Sequence, residues 1–146
     1  MAIIDNSKKP FIQDRDENIF IGIDLPFRLS NGAEGYFAST ESTIDAVKNN
    51  IRNLLQTNKG ERFLQPTLGL NLRRYMFEQY TDELHFTIED EIVETVSFWL
   101  PFVEIQDLEI NMNENDEISK NKLNIKVLFN IKRDPNTLES VQVEIS

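Results

Sequence analysis

Positive charge is gathered in one segment, residues 59–77, of a chain whose formal net charge is -10. A guanidinium presents a planar fork of donors that matches carboxylates and backbone carbonyls. The start of this segment, KGERFLQPTLG, also holds Gly60, Pro66 and Gly69, residue types that shape turns. This pattern indicates a basic docking loop with a defined shape. The charged residues of the whole segment 59–77 are Lys59, Glu61, Arg62, Arg73 and Arg74.

The residue types and their spacing leave two interpretations of Arg62 open. In the first, Arg62 satisfies the carbonyls at the end of a preceding helix, and Glu61 is its ion-pair partner. In the second, Arg62 is presented to a partner protein and Glu61 orients it. The two are compatible, because one acid can hold an arginine in place for a partner.

Other chemistry has weaker support. With twenty-five acids, finding two carboxylates of glycosidase type proves little, and the run IEDEIVE at 88–94 is typical of a solvated helix surface. The chain has one histidine, His85, and no cysteine, and residues 114–117 lack the spacing of a calcium loop. No GK[ST] follows a glycine-rich turn. We therefore expect no metal and no cofactor.

The acidic charge lies in the second half of the chain. Residues 1–80 hold ten acidic and ten basic residues, and residues 81–146 hold fifteen and five. Such a half repels phosphates and suits a solubilising face or a docking face for a basic partner. No apolar run is long enough to span a membrane, and MAIIDNSKKP lacks a signal peptide's apolar core. We expect synthesis inside the cell and no nucleic-acid or membrane partner.

The predicted organisation is an N-terminal arm, 1–18, followed by a single domain, 19–146. Alternating isoleucines predict a strand over 19–25 that Pro26 stops, and SNGAEG at 30–35 predicts a turn. Residues 36–38 are expected to pair back as a hairpin.

Helices are predicted in the centre of the chain. The first has an apolar face, a cap at Thr40 or Ser42, and a stop at Asn58 and Gly60. A short helix is expected within 70–79. The longest one starts after Thr81 and ends before Pro101. The apolar face of the first helix is Ile44, Val47, Ile51, Leu54 and Leu55, and that of the longest is Leu84, Ile88, Ile92, Val96 and Trp99.

After Pro101 the apolar period changes to two, which predicts strands. The phase slips near Gln106 and Asp107, as a β-bulge would make it do. Polar turns are expected at 113–117 and 133–136, around a strand over 123–131 and before one over 141–145. The expected fold class is α+β: an N-terminal strand or hairpin, two main helices plus a short one, and a C-terminal antiparallel meander.

The order of these elements, with the motif formed by Thr57, Lys59, Gly60, Glu61, Arg62, Pro66, Gly69 and Leu72, resembles the baseplate wedge family of contractile phage tails. That family includes a baseplate component of type VI secretion systems and carries the label "acidic lysozyme-like". The resemblance covers about residues 37–132. The family motif is often Glu-Pro-Arg, whereas here Glu61 and Arg62 are adjacent.

The resemblance implies a structural protein of the virion tail baseplate, assembled in the host cytoplasm, that initiates sheath polymerisation. Its Gly-Glu-Arg loop would bind the helical core bundle of neighbouring wedge proteins through Glu61 and Arg62. Its partners would be other wedge proteins, the tail sheath subunit and proteins near the tail tube. Open edges of the strands at 122–131 and 139–145 would accept or donate a sheath strand. One alternative is a peptidoglycan-hydrolysing enzyme, and another is an acidic adaptor protein that is unrelated to contractile tails. The expected partner-binding residues are Glu61, Arg62, Pro66, Gly69, Arg73 and Arg74, and those for strand pairing are Val127, Phe129, Val141, Val143 and Ile145.

Overall fold

The computed structural model confirms an α+β fold. It describes residues 21–25, 27–30, 38–40, 42–112 and 122–146. The predicted arm at 1–18 and the predicted turn at 113–117 lie outside these residues. The elements are β1 Gly22–Ile23, β2 Ser39–Thr40, α1 Thr43–Gln56, α2 Leu72–Tyr75, α3 Asp82–Trp99, β3 Val103–Met112, β4 Leu123–Ile131 and β5 Asp134–Ile145.

The N-terminal hairpin is confirmed at its described ends. β1 pairs antiparallel with β2, with Gly22 opposite Thr40. The N–H of Ala38 donates to the carbonyl of Arg28 at 2.9 Å, and the N–H of Asp24 donates to the carbonyl of Ala38 at 2.9 Å. The predicted turn at 30–35 lies outside the described residues except for Ser30. This hairpin lies against α1.

Helix α1 begins after Ser42, which takes the N-cap position but makes no capping hydrogen bond with its side chain. The helix buries the predicted apolar face from Val47 to Leu55. It ends at Gln56, with Thr57 as an extended C-cap residue. The prediction that Gly60 supplies the helix stop is therefore wrong. Gly60 does have a positive φ of 87°, but it uses this conformation in the loop that follows the helix.

Helix α3 matches its predicted boundaries. The Thr81 side chain accepts a hydrogen bond from the N–H of Leu84 at 3.2 Å, which caps the first turn, and the helix ends just before Pro101. The residues of its predicted inner face are buried except Trp99, which is partly exposed. None of the described helices has the length and apolar composition that crossing a membrane requires.

Strands β3, β4 and β5 form an antiparallel meander with β4 in the centre. Its register shifts between Ile105 and Asp107, where the bulge is predicted. The predicted turn at 133–136 is misplaced: the turn residues are Lys132 and Arg133, and β5 already begins at Asp134. A proline is tolerated in an edge strand, so Pro135 does not delay the start of β5.

One face of the meander packs on α1 and α3 and forms the core. The helices contribute side chains such as Ile51 and Ile88, and the sheet contributes Phe129, all with no exposed surface. Burying side chains of this size contributes about 1.5–3 kcal/mol each. The helices and the sheet thus form a rigid packed core, and the segment between α1 and α3 projects from it.

Candidate functional site

The segment between α1 and α2 is a closed loop, residues 57–70. At its base the N–H of Leu70 donates to the carbonyl of Thr57 at 2.9 Å. Nearer the tip, the N–H of Gly60 donates to the carbonyl of Pro66 at 2.7 Å. Two cross-loop backbone bonds fix the shape of a segment that has no helix or strand of its own.

Gly69 makes this closure possible. Its φ is +107°, a conformation that residues with a side chain rarely adopt. A Cβ atom at this position would lie 2.2 Å from the carbonyl oxygen of Thr57. Gly60 also has a positive φ, but a Cβ there would meet nothing within 4 Å. Gly69 is therefore required by the close approach of two backbone segments, and Gly60 only by its turn.

The tip of the closed loop is apolar and almost entirely in solvent. Phe63 is 96% exposed and Leu64 is 87% exposed. Holding two large apolar side chains in water forgoes about 1.5–3 kcal/mol for each of them. Sequence reasoning missed this pair because it followed the charges. The available signal was two large apolar residues between a glycine and a proline, outside any helix or strand period.

The charged pair at the tip is held by α1 and by the backbone. The Arg62 guanidinium donates through Nη2 to Oδ1 of Asn53 at 3.0 Å, and Oε2 of Glu61 accepts from the N–H of Asn58 at 2.9 Å. Arg62 thus bonds a side chain of α1, not the helix carbonyls that the first interpretation assigned to it. Both residues remain exposed.

The predicted cluster of arginines divides into two parts. Arg73 is exposed, whereas Arg74 lies over the ring of Tyr75, 4.5 Å from its centroid, with Nη2 3.5 Å from Oε2 of Glu91. Nζ of Lys59 lies 3.6 Å from Oε1 of the same carboxylate. Glu91 on α3 therefore pairs with two of the predicted basic residues, Lys59 and Arg74. We call this cluster at the base of the closed loop the joint.

Tyr75 completes this joint. Its hydroxyl donates to Oε2 of Glu91 at 2.6 Å, and the residue is 3% exposed. Burial raises the pKa of the Tyr75 hydroxyl, and the hydrogen bond to Glu91 raises it further. The pKa of Arg74 is also raised, chiefly by its hydrogen bond with Tyr75. The joint keeps Tyr75 neutral and Arg74 charged.

The residues predicted for strand pairing lie in the core. Val127 and Phe129 belong to β4, which is paired with β3 on one side and with β5 on the other. The expectation that the strand 122–131 offers an open edge is therefore wrong for this chain, because its backbone groups are already used. The other three predicted residues belong to β5, and their side chains are buried as well; they are Val141, Val143 and Ile145.

The hydrolase alternative requires a carboxyl group that is held protonated by an apolar pocket. A polar cleft of about 590 Å³ lies between the hairpin and α1 and includes Asp24, Arg28 and Asp45. A hydrogen bond from Arg28 lowers the pKa of Asp24, which is the opposite of what a general acid needs. Among the described residues, no group of acids and His85 is arranged to hold a metal ion.

Exposed apolar side chains that are grouped on a surface mark sites where proteins bind partners, membranes or ligands. The chain belongs to the family described as baseplate wedge protein gp25, whose model matches residues 41–136. The resemblance of the sequence to this family is thereby confirmed. No match was found among curated proteins.

Two solved structures share the fold. One is a crystal structure of a provisionally named tail lysozyme from Geobacter sulfurreducens, with a TM-score of 0.62 and 21% identity over 74% of this chain and 94% of that one. The other is in a cryo-EM structure of the anti-feeding prophage baseplate, 6-fold symmetrised, with a TM-score of 0.61 and 24% identity over 78% of this chain and 86% of that one.

Proposed function

We propose that this chain is a structural protein of a contractile-tail baseplate and that its closed loop docks on a neighbouring wedge protein. Membership of the baseplate wedge family supports a structural role in a baseplate. The exposure of Phe63 and Leu64 on a hydrogen-bonded loop is the observation that carries the docking role. Large apolar side chains on a fixed protrusion are suited to fill a pocket in a partner.

The closed loop has separate parts for affinity and for orientation. Phe63 and Leu64 provide apolar area that is removed from water on binding. Arg62 and Glu61 flank that area, and their charges favour one orientation of the partner over others. Because the loop is ordered before binding, docking loses less conformational entropy than it would with a flexible segment. This chain has no proline between Glu61 and Arg62. Pro66 helps to close the loop instead, because its carbonyl accepts a hydrogen bond from the N–H of Gly60.

The double variant Phe63→Ser/Leu64→Ser tests the loop. Incorporation into baseplates is measured after co-expression with the wedge proteins of the same system. We expect recovery in baseplates to fall at least tenfold, since apolar anchors at an interface centre contribute about 2 kcal/mol or more each. Arg62→Ala is expected to reduce incorporation as well, because it removes the orienting charge.

The matched control is Phe77→Ser, which removes a 77% exposed phenylalanine outside the closed loop. It should enter baseplates normally, and all three variants should melt at the temperature of the unchanged chain. Normal incorporation of the double variant would remove the docking role of the tip. Normal incorporation of Arg62→Ala alone would remove the role of Arg62.

We also propose that the outer edge of β5 pairs with a strand of the tail sheath subunit and so starts sheath polymerisation. Within the described residues, β5 and β3 are the outer strands of the three-stranded sheet and each has one unpaired edge. The bulge at Ile105–Asp107 interrupts β3, and bulges hinder regular pairing. β5 keeps an unbroken register from Glu139 to Ile145. The pairing uses the backbone, so the buried side chains of β5 can stay in the core.

Deleting 137–146 would be a poor test, because it removes Val141, Val143 and Ile145 from the core. Amide hydrogen exchange is better. The outward N–H groups between Glu139 and Ile145 should exchange fast in the free chain and become protected when sheath subunit is added. The amides of β4 serve as the internal control, since they are bonded in both states. Unchanged exchange along β5 in the presence of bound sheath subunit would contradict the strand-pairing proposal.

The proposed role is non-enzymatic. A turbidity assay on peptidoglycan separates it from the hydrolase alternative. We expect no lysis by the purified chain, and lysis that disappears in an Asp24→Asn variant would favour the enzyme.

A further inference from the structure

Helix α3 has an outward face that the core and the closed loop do not use. Its exposed apolar side chains are Phe86 at 63%, Val93 at 39% and Phe98 at 73%. Phe86 and Val93 are seven residues apart, so they lie almost on one line along the helix, about 10 Å from each other. Exposed acids lie beside and between them on the same face: Glu83, Asp90 and Glu94.

The charge of this face is uncompensated within the described part of the chain. Residues 82–99 hold six acids and no lysine or arginine. Glu91 is paired with Lys59 and Arg74, whereas no described basic side chain forms an ion pair with the three outward acids. Asp90 and Glu94 are four residues apart, a like-charge spacing that costs a helix about 0.2–0.5 kcal/mol. A helix that carries this cost on one face gains stability when a positive partner covers it.

We propose that this face binds a cationic amphipathic helix of another protein. The apolar seam of that helix would pack on Phe86 and Val93, whose spacing is that of one heptad. Lysines or arginines beside the seam would pair with Asp90 and Glu94. A second copy of this face cannot serve, because it repeats the same negative charge, and neither can a phosphate backbone. The surface is distinct from the closed loop, so this inference does not depend on the loop's role.

A labelled synthetic peptide tests the surface on the full chain. The probe is a helical peptide of three heptads with leucines at the seam and lysines on both sides. The control peptide has the same composition in an order that destroys the seam. In fluorescence anisotropy we expect the seam peptide to bind at least tenfold tighter than the control. Equal binding of the two peptides would show general charge attraction and overturn the proposal.

Variants locate the binding. The double variants Phe86→Ser/Val93→Ser and Asp90→Asn/Glu94→Gln should each lower the affinity for the seam peptide at least tenfold. Phe77→Ser and Glu104→Gln remove an exposed aromatic and an exposed acid elsewhere, and should stay within twofold of the unchanged chain. Equal weakening by the control variants would place the peptide elsewhere and contradict the proposal.

A photo-crosslinking residue at Phe86 identifies the natural occupant in assembled baseplates. The expected product joins this chain to a segment with net positive charge and a helical apolar period. A crosslink to a second copy of this chain, or to an acidic segment, would overturn the assignment. The closed loop is unchanged in this variant. The crosslinking result therefore tests the α3 proposal alone, and the assembly of loop variants tests the docking role of the loop alone.

Discussion

The closed loop and strand β4 are ordered in opposite ways. From Lys59 to Thr67 every residue of the loop is exposed, and its shape comes from backbone hydrogen bonds and the close approach at Gly69. In β4 the side chains of Leu123, Ile125, Val127 and Phe129 have no exposed surface, and their burial against the helices orders the strand. The loop is ordered without buried side chains at its tip, whereas β4 combines a backbone paired on both sides with fully buried side chains.

This difference separates the residues that stabilise the fold from those of the proposed docking surface. A side chain can be removed from the loop tip without disturbing any contact that the fold needs. The same removal in β4 leaves a cavity in the core. Conversely, the tip of the loop has few apolar contacts that could compensate for a backbone change. The two regions can therefore be perturbed independently.

The largest effect is expected when the same substitution is made in both regions. Phe129→Ala should destabilise the chain by about 3–5 kcal/mol, because it empties a fully buried site. Phe63→Ala should change the free energy of unfolding by less than about 0.5 kcal/mol, since the side chain is 96% exposed. Urea denaturation measures both. Similar losses for the two variants would show that the loop tip packs in the folded chain.

A smaller effect is expected from the glycines of the closed loop. Gly69→Ala combines a positive φ with a backbone clash at 2.2 Å, and backbone strain of this kind costs about 1–3 kcal/mol. Gly60→Ala has the conformational cost alone and serves as the matched control. The difference between the two melting temperatures therefore measures the close approach to Thr57. Equal losses would mean that the loop can open at its base without cost.

Elements with a strong period were predictable from sequence. The apolar faces of α1 and α3, the cap at Thr81 and the bulge near Gln106 follow from local spacing and local chemistry. The start of β5 was not predictable from the segment RDPN. Turn-forming residues indicate where a chain can turn, whereas the pairing of Ile131 with Asp134 places the turn one residue earlier.

The candidate site was predictable as a loop but not in its details. The spacing of Gly60, Pro66 and Gly69 indicated a shaped turn. The use of Arg74 as a structural residue depends on Glu91, seventeen positions away in sequence and adjacent in space. The exposure of Phe63 depends on which side of the loop meets the core. A local pattern contains neither of these tertiary relations.

The smallest effect concerns the joint where the loop meets the core. Because the folded chain raises the pKa of Tyr75 above its ordinary value of 10.0, the neutral hydroxyl contributes stability that is fully present below about pH 10. That contribution is lost as the pH rises through the folded pKa. Tyr75→Phe removes the hydrogen bond to Glu91 and should cost about 1 kcal/mol at pH 7.

The stability difference between Tyr75→Phe and the unchanged chain should therefore be constant up to about pH 10 and shrink as the pH rises further, through the folded pKa. Tyr80→Phe, at a 37% exposed tyrosine, is the control for general alkaline effects. If the difference stays constant as the pH rises above about 10 as well, the Tyr75 hydroxyl is not held neutral by the fold. In that case the polar part of the joint would depend on Lys59 and Arg74, whose side chains are both exposed.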